Sequence, residues 1–154
     1  RLLLSIPLAS LEHAIALGLR SGAGNERLRI GPVKMFADGT LGSATALLEA
    51  PYEGQAQAGI EVTTRDVLLD ACRRAAEAGL SVAIHAIGDR AVRHALDAIA
   101  EPLRRGLAYP LPPRVEHGFR STGSARLVIH DHLQSEACCK SPCDDACRKV
   151  VVCA

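Results

Sequence analysis

Three side chains that could bind a metal ion occur near the ends of short apolar segments that predict strands. They are Lys34, His85 and His117. The carboxyl ends of parallel strands open onto one face of a fold, and ligand sites form there. Two imidazoles and a lysine that converge on such a face would make a divalent-metal site, because imidazole is a common ligand of zinc and related ions.

Side chains alternate between the two faces of a strand, so residues two positions apart point the same way. This rule places each of the three residues on one face with particular neighbours. It holds only as far as each strand stays extended. The predicted sets are Lys34 with Phe36 and Asp38, Ala83 with His85, and Val115 with His117.

Each of these residues also has a simpler interpretation. A lone histidine at a strand end is commonly a hydrogen-bonded structural residue, and a lone lysine commonly reaches along an apolar surface to solvent. A lysine is also cationic at neutral pH, which makes it a poor metal ligand. Carboxylation of its amino group by carbon dioxide would turn it into an anionic oxygen donor. From the residues alone, a metal site is therefore one interpretation beside these structural roles.

Strand and helix signals alternate along the first three quarters of the chain. The predicted strands are almost continuously apolar and the helices have apolar residues at helical spacing, which is typical of parallel βαβ units. The length of each unit fits either a doubly wound sheet or part of a (β/α)8 barrel. The Gly-rich stretch 37–54 predicts a functional loop. The predicted strands are 1–8, 28–36, 80–86 and 114–117, and the predicted helices are 9–20, 64–78 and 89–104.

The composition argues against several classes of partner. The formal net charge is only +1, which gives no electrostatic attraction to nucleic acid or to an anionic membrane surface. Aromatic residues make up 3% of the chain, so stacking platforms for bases are not expected. No apolar stretch approaches the roughly 20 residues that a membrane span needs. We therefore expect neither a nucleic-acid nor a membrane partner.

The cysteines are distributed unevenly. Cys72 stands alone in the body of the chain, which predicts a reducing, cytoplasmic compartment. From residue 119 the strand–helix alternation stops, and we predict an irregular or disordered tail over 119–154. This tail could bind a metal on its own, but it has no Cys-x2-Cys pair of the zinc-finger type. Its cysteines are Cys138, Cys139, Cys143, Cys147 and Cys153, preceded by His130 and His132.

Three stretches carry a resemblance to a known family: VKMFADGTLGSATALLEAPYEG at 33–54, GLSVAIHAIGDRAVRHALDAIA at 79–100 and PRVEHG at 113–118. They resemble the amidohydrolase superfamily, and within it amidohydrolase family 3, the YtcJ-like hydrolases that include N-substituted formamide deformylase. The strings KMFADGTLGS and HAIGDRAV are long enough to be specific. The resemblance covers residues 1–118, which predicts a partial barrel domain there and an unrelated tail at 119–154.

The resemblance implies a (β/α)8 TIM-type barrel that hydrolyses carbon–nitrogen bonds of small amide-type substrates through metal-activated water. It implies two divalent metal ions, expected to be zinc, in the complete site. Lys34 resembles the fourth-strand lysine that is carboxylated and bridges the two ions, and His85 and His117 resemble the metal histidines of the fifth and sixth strands. Four residues resemble positions that support the site or face the substrate, although a helix cap is the more ordinary interpretation of the third; they are Asp38, Gly39, Asp89 and Arg90.

The sequence also departs from the family pattern. It lacks the first-strand His-x-His pair and the eighth-strand aspartate, so we expect no complete set of catalytic residues in it. We expect an internal fragment, with about four parallel strands, flanking helices and open sheet edges through which it could self-associate. The alternative is a catalytically inactive truncated or frameshifted product, or an interaction scaffold with an incomplete metal site. A flavodoxin-like binding domain is a third interpretation, but a Gly-rich phosphate loop after the first strand is missing.

Overall fold

The structure, a computed structural model, describes residues 1–117 and 151–153. Five parallel strands form one sheet, and their order in the sheet follows the sequence. Helices connect the first four strands, as parallel neighbours require. The strands are β1 Leu2–Pro7, β2 Leu28–Phe36, β3 Val82–His85, β4 Arg114–Glu116 and β5 Val151–Cys153; the helices are α1 Leu11–Ala16, α2 Arg65–Glu77 and α3 Asp89–Arg104, with a 3-10 turn at Leu8–Ser10 before α1.

The predicted α/β fold with parallel strands and flanking helices is confirmed. The strand β2 and the helix α3 have the predicted bounds. Helix α2 begins after Thr64, whose hydroxyl accepts a hydrogen bond from the amide of Val67 at 3.5 Å. Helix α1 stops at Ala16, well before the predicted end, because Gly18 has a φ of 66°, a conformation that ends helices. Within the described part of the chain, every helix is too short or too polar to cross a bilayer.

The helices cover one face of the sheet. The inward side chains of β2, β3 and β4 pack against them and form a single apolar cluster, whose removal from water is the main source of stability. The sheet contributes Val33, Met35, Val82, Ile84 and Val115 to this cluster, and the helices contribute Leu11, Ala14, Leu68, Ala71, Cys72, Ala75, Ala91, Val92, Ala95, Ala98 and Ile99.

The opposite face of β2, β3 and β4 carries mostly polar side chains, and we call it the polar face. Because the strands are parallel and in register, these side chains form two rows across the sheet. The row nearer the carboxyl ends of the strands is the one from which a ligand would be reached. The lower row is Lys34, Ala83 and Arg114, and the upper row is Phe36, His85 and Glu116.

Most of the predicted irregular tail lies outside the described residues, including its histidines and four of its cysteines. Its described segment, Val151–Cys153, is a strand and not irregular. It pairs with β4 so that Cys153 stands opposite Glu116. The physical reason is that the outer edge of β4 offers unpaired amide and carbonyl groups, and a β-branched segment such as this one can satisfy them.

Candidate metal centre

The polar face brings His85 and His117 together. His85 is the last residue of β3 and His117 directly follows β4. Their ring centroids are 5.4 Å apart and the ring planes are inclined at 60°. The two imidazoles that the sequence places at strand ends are therefore neighbours at the carboxyl edge of the sheet.

His117 reaches this position through an unusual backbone conformation. Its φ is 64°, in the left-handed region that few residues other than glycine adopt. Val115 is fully buried on the helix side of the sheet, and regular alternation would send His117 the same way. The predicted shared face of Val115 and His117 is therefore wrong, because the left-handed turn breaks the alternation and returns the imidazole to the polar face.

The loop that follows β2 orients the His85 ring. The Nε2 atom lies 2.9 Å from the carbonyl oxygen of Gly39 and 3.8 Å from Oδ1 of Asp38. A carbonyl oxygen only accepts hydrogen bonds, so in a neutral ring Nε2 carries the proton and Nδ1 keeps a free lone pair. A metal-binding imidazole needs this arrangement. A Cβ atom on Gly39 would overlap the side chain of Thr45, so glycine is required for the close approach.

Asp38 is a buried carboxylate that joins three segments. Its Oδ2 accepts hydrogen bonds from the amides of Leu47 and Gly88, both at 2.8 Å, and its Oδ1 accepts one from the amide of Ile87 at 3.0 Å. Its side chain is 0% exposed, so these charge-assisted bonds replace all of its contact with water. Asp38 thus fastens the loop 39–63 to the turn between β3 and α3.

Asp89, the first residue of α3, makes a second connection to the same loop. Its Oδ1 accepts hydrogen bonds from the amides of Glu49 and Arg90, both at 2.9 Å. The helix cap itself is Gly88, not Asp89. The side chain of Arg90 is exposed. The contacts of Asp89 in this structure are therefore to the backbone of the loop and of its own helix.

Lys34 forms an ion pair that its sequence motif does not predict. Its Nζ contacts Oε2 of Glu116 and lies 4.9 Å from the centroid of the Phe36 ring. The other carboxylate oxygen of Glu116 is 3.4 Å from the guanidinium of Arg114. A signal was present, since Glu116 alternates with the buried Val115 and must face away from the helices, where a charged group is favourable only beside a basic partner.

Opposing effects act on the pKa of Glu116. Partial burial raises it, but the ion pair with Lys34, assisted by the charges of Arg114 and His117, outweighs burial and holds the pKa below its ordinary value. The side chain is therefore a carboxylate at neutral pH. The ammonium group of Lys34 is therefore held beside a fully charged carboxylate, next to the two imidazoles.

The described residues supply an incomplete set of metal ligands. In residues 1–117 and 151–153, no three His, Cys, Asp or Glu side chains are grouped closely enough to hold an ion. His85 and His117 fit the role, because two adjacent imidazoles are common ligands of zinc. Lys34 does not fit in its observed state, because an ammonium group has no lone pair.

Comparison with known proteins places these residues in a family. A family model described as "Amidohydrolase family" matches residues 4–123. The chain is 44% identical over 73 residues to a predicted amidohydrolase, YtcJ, of Bacillus subtilis (strain 168), a match that covers 47% of this chain and 14% of that protein. It is 38% identical over 99 residues to the protein LONG AFTER FAR-RED 3 of Arabidopsis thaliana, which covers 63% of this chain and 17% of that protein.

Two solved structures share the fold, and each is of an uncharacterized metal-dependent hydrolase. The one from Pyrococcus furiosus is 37% identical with a TM-score of 0.64, and the match covers 74% of this chain and 23% of that one. The one from Pyrococcus horikoshii OT3 is 38% identical with a TM-score of 0.62 and covers 74% and 22%. The chain spans less than a quarter of the length of each of these four relatives. Because the family model matches well over half of the chain, the protein belongs to the amidohydrolase family, as its motifs predict.

Proposed function

We propose that this chain forms part of the active site of a metal-dependent hydrolase that cleaves carbon–nitrogen bonds of small amide-type molecules. The observation that carries the proposal is the pairing of His85 and His117, whose rings are 5.4 Å apart at the carboxyl ends of adjacent parallel strands. Ligand sites form at this end of such folds. Membership of the amidohydrolase family, and the two solved metal-dependent hydrolases of the same fold, support a metal ion at this position.

In this proposal, His85 and His117 hold a divalent ion, zinc, through ring nitrogens. Nδ1 is the nitrogen that His85 offers, because its Nε2 faces the carbonyl of Gly39. Lys34 would be a further ligand once it leaves its ion pair and is carboxylated on its amino group. A divalent ion held there would supply a water molecule activated for attack on an amide carbonyl.

The four supporting residues act on these ligands and on the substrate side of the site. Asp38 and Gly39 fix the orientation of the His85 ring through the contacts described above. Asp89 holds the loop 39–63 through the amide of Glu49. We propose that this loop and the exposed side chain of Arg90 border the substrate.

A second candidate is a catalytically inactive chain that keeps a partial metal site or acts as an interaction scaffold. The observation that favours it is the incomplete ligand set: in residues 1–117 and 151–153, no third His, Cys, Asp or Glu groups with the two imidazoles. A catalytic zinc usually has three protein ligands and one position open for water.

Hydrolysis by the zinc-loaded protein separates the two candidates. Release of amine from a panel of N-formyl and N-acyl amines would be measured for the wild type, His85→Ala and His94→Ala. His94 is the matched control because it lies on α3 and pairs with Glu61 at 3.3 Å. Release that only His85→Ala abolishes supports the first candidate. Zinc bound without release supports an inactive chain with a partial metal site, and neither zinc nor release contradicts the first candidate and leaves the interaction scaffold.

We also propose that two copies of the chain associate through the edge of β1. In the described part of the chain, β1 has a neighbour on one side only. Its leucines Leu2, Leu3 and Leu4 are exposed. An open strand edge with apolar side chains is a template for pairing with another strand, and a second copy offers the same surface.

A reducing, cytoplasmic setting is the proposed location. The support for it is Cys72, a free and buried thiol in the described part of the chain. Unpaired buried cysteines are usual in proteins of reducing compartments.

A further inference from the structure

Glu116 lies beside the proposed metal centre but has no ligand role in it. It shares the upper row of the polar face with His85 and directly precedes His117. A carboxylate at this position would attract a metal ion if it were free. It is instead bound to Lys34, the residue proposed as a further ligand.

The ion pair crosses the middle strand of the site. Lys34 belongs to β2 and Glu116 to β4, and β3 lies between these two strands. Neighbouring strands are about 4.8 Å apart, so the two backbones are separated by roughly 10 Å. Only two long side chains that reach toward each other can close this gap. The β3 partner of Lys34 is Ala83 and that of Glu116 is His85, so the ion pair crosses β3 diagonally, beside Ala83.

The burial of Ala83 supports this path. Ala83 faces away from the helices and does not belong to the apolar cluster, yet it is 0% exposed. Groups on the polar face therefore cover it, and Lys34 and Glu116, each only 22% exposed, are the pair that crosses the strand beside it. The single methyl group of Ala83 leaves the space that the crossing occupies.

We propose that Glu116 sequesters Lys34: the ion pair beside Ala83 keeps the lysine amino group out of the metal centre until the pair opens. The consequence for metal binding rests on the proposed function, in which Lys34 is a ligand. An ammonium group bound to a carboxylate offers three donors and no lone pair, so the pair and metal ligation are alternative states of Lys34. Glu116 is then a positioning residue that decides how much Lys34 is available.

The availability of Lys34 can be measured without any metal. The chain has three lysines, Lys34, Lys140 and Lys149, so acetylation of Lys34 by acetic anhydride can be expressed relative to the other two by peptide mass spectrometry. We expect Glu116→Gln to raise this relative rate roughly threefold to tenfold, because a charge-assisted bond of a partly exposed pair is lost. Glu77→Gln is the matched control, since Glu77 is an exposed carboxylate paired with an arginine on α2.

A conservative variant and a blocking variant make the test specific. Glu116→Asp keeps the charge on a shorter side chain and should give a rate between those of the wild type and Glu116→Gln. Ala83→Leu leaves both charges in place but fills the space that the ion pair occupies. It should therefore also raise the relative acetylation rate of Lys34. Far-UV circular dichroism checks that each variant keeps its fold. If the relative acetylation rate of Lys34 is unchanged or lower in folded Glu116→Gln, the proposal is overturned.

Zinc titration of the same proteins separates this proposal from the proposed function. If both hold, Glu116→Gln binds zinc several-fold more tightly than the wild type, because Lys34 no longer has to leave its partner. If Glu116→Gln raises the acetylation rate of Lys34 but neither it nor the wild type binds zinc, sequestration is supported and the proposed metal centre is contradicted. If zinc binds through His85 while the Lys34 rate is unchanged, the metal centre stands and sequestration is overturned.

Discussion

Asp38 is the buried charged residue that contributes most to holding the segments of the site in place. Its two oxygens accept hydrogen bonds from three backbone amides. Asparagine has the same size, but its NH2 group would face amide donors in place of one acceptor oxygen. We expect Asp38→Asn to lower the free energy of unfolding by about 2–4 kcal/mol, measured by urea denaturation.

The control for this variant is Asp97→Asn. Asp97 is an exposed carboxylate of α3 that lies 3.2 Å from a guanidinium nitrogen of Arg65. Exposed pairs contribute little, so we expect a loss below about 1 kcal/mol. Losses of equal size in the two variants would contradict the role given to Asp38.

Cys72 should be unreactive in the folded protein. Its thiol is fully buried between the helices and the sheet, and burial raises its pKa to about 12. The thiolate is the reactive form, and it is scarce at about pH 8 when the pKa is so high. We expect iodoacetamide to modify Cys72 in urea but not in buffer, as read from its peptide by mass spectrometry. Modification at equal rates in both conditions would show that the core around Cys72 is open.

The same shift has a consequence for stability. A free thiol in the unfolded chain loses its proton near its ordinary pKa, whereas the buried thiol keeps it up to about 12. The unfolded state therefore binds fewer protons over this alkaline window. Stability from Cys72 is fully present below the ordinary thiol pKa and is lost as the pH rises toward 12.

Residue identities predict part of the candidate site. Lys34, His85 and His117 are predicted from their positions at the ends of apolar segments, inside motifs of the family, and the structure brings the two imidazoles together. For Glu116, alternation with Val115 indicates only which face it lies on, and its partner cannot be read from the sequence because Lys34 is 82 positions away in the chain. The placement of His117 was predicted for the wrong reason, since a left-handed residue cannot be read from alternation.

At the scale of elements, the turn between β3 and α3 depends on a single glycine. A Cβ atom on Gly88 would overlap the backbone carbonyl of Leu47, and a backbone atom cannot rotate away as a side chain can. We expect Gly88→Ala to cost about 1–3 kcal/mol of unfolding free energy, the usual range for overpacking. It should also raise hydrogen exchange at the amides of the loop 39–63, measured by mass spectrometry.

Gly42 offers the matched control for this substitution. It lies in the same loop, and a Cβ atom there would meet nothing within 4 Å. Gly42→Ala should leave both stability and exchange close to wild type. Similar exchange in the two variants would show that the loop is not held at Gly88.

The elements differ in how far local sequence determines them. Helix α3 has its predicted bounds because a long amphipathic pattern and the Gly-Asp step at its start agree. Strand β5 was missed because three residues carry no periodic signal, and only the free edge of β4 gives them a partner. Two side-chain bonds that hold the loop 39–63 come from Asp38 and Asp89, which lie outside it.

At the scale of the whole molecule, the open edge of β1 predicts self-association. Leu2 is 71% exposed on this edge, and a lysine there would charge the strand that another copy would pair with. We expect Leu2→Lys to shift the protein toward monomer in sedimentation velocity. Leu17→Lys is the control, because Leu17 is 75% exposed but follows α1 and is not part of β1. An equal shift in both variants would indicate general solubility and not edge pairing.

The polar face is the feature that relates the whole fold to function. Parallel sheets normally bury both faces, but the described helices of this chain cover only one. The uncovered face holds the imidazoles, the ion pair and the loop fastened by Asp38. Its position at the carboxyl ends of the strands is where hydrolases of barrel type place their chemistry.

The central claim is that His85 and His117 bind a metal ion, and zinc content tests it most directly. The full chain, His85→Ala and His94→Ala would be dialysed together against zinc, and the metal bound per chain measured by mass spectrometry. All three proteins carry the same tail cysteines, so any zinc held there cancels in the comparison. We predict equal zinc in the wild type and His94→Ala and a clear loss in His85→Ala; equal zinc in all three proteins would contradict the claim.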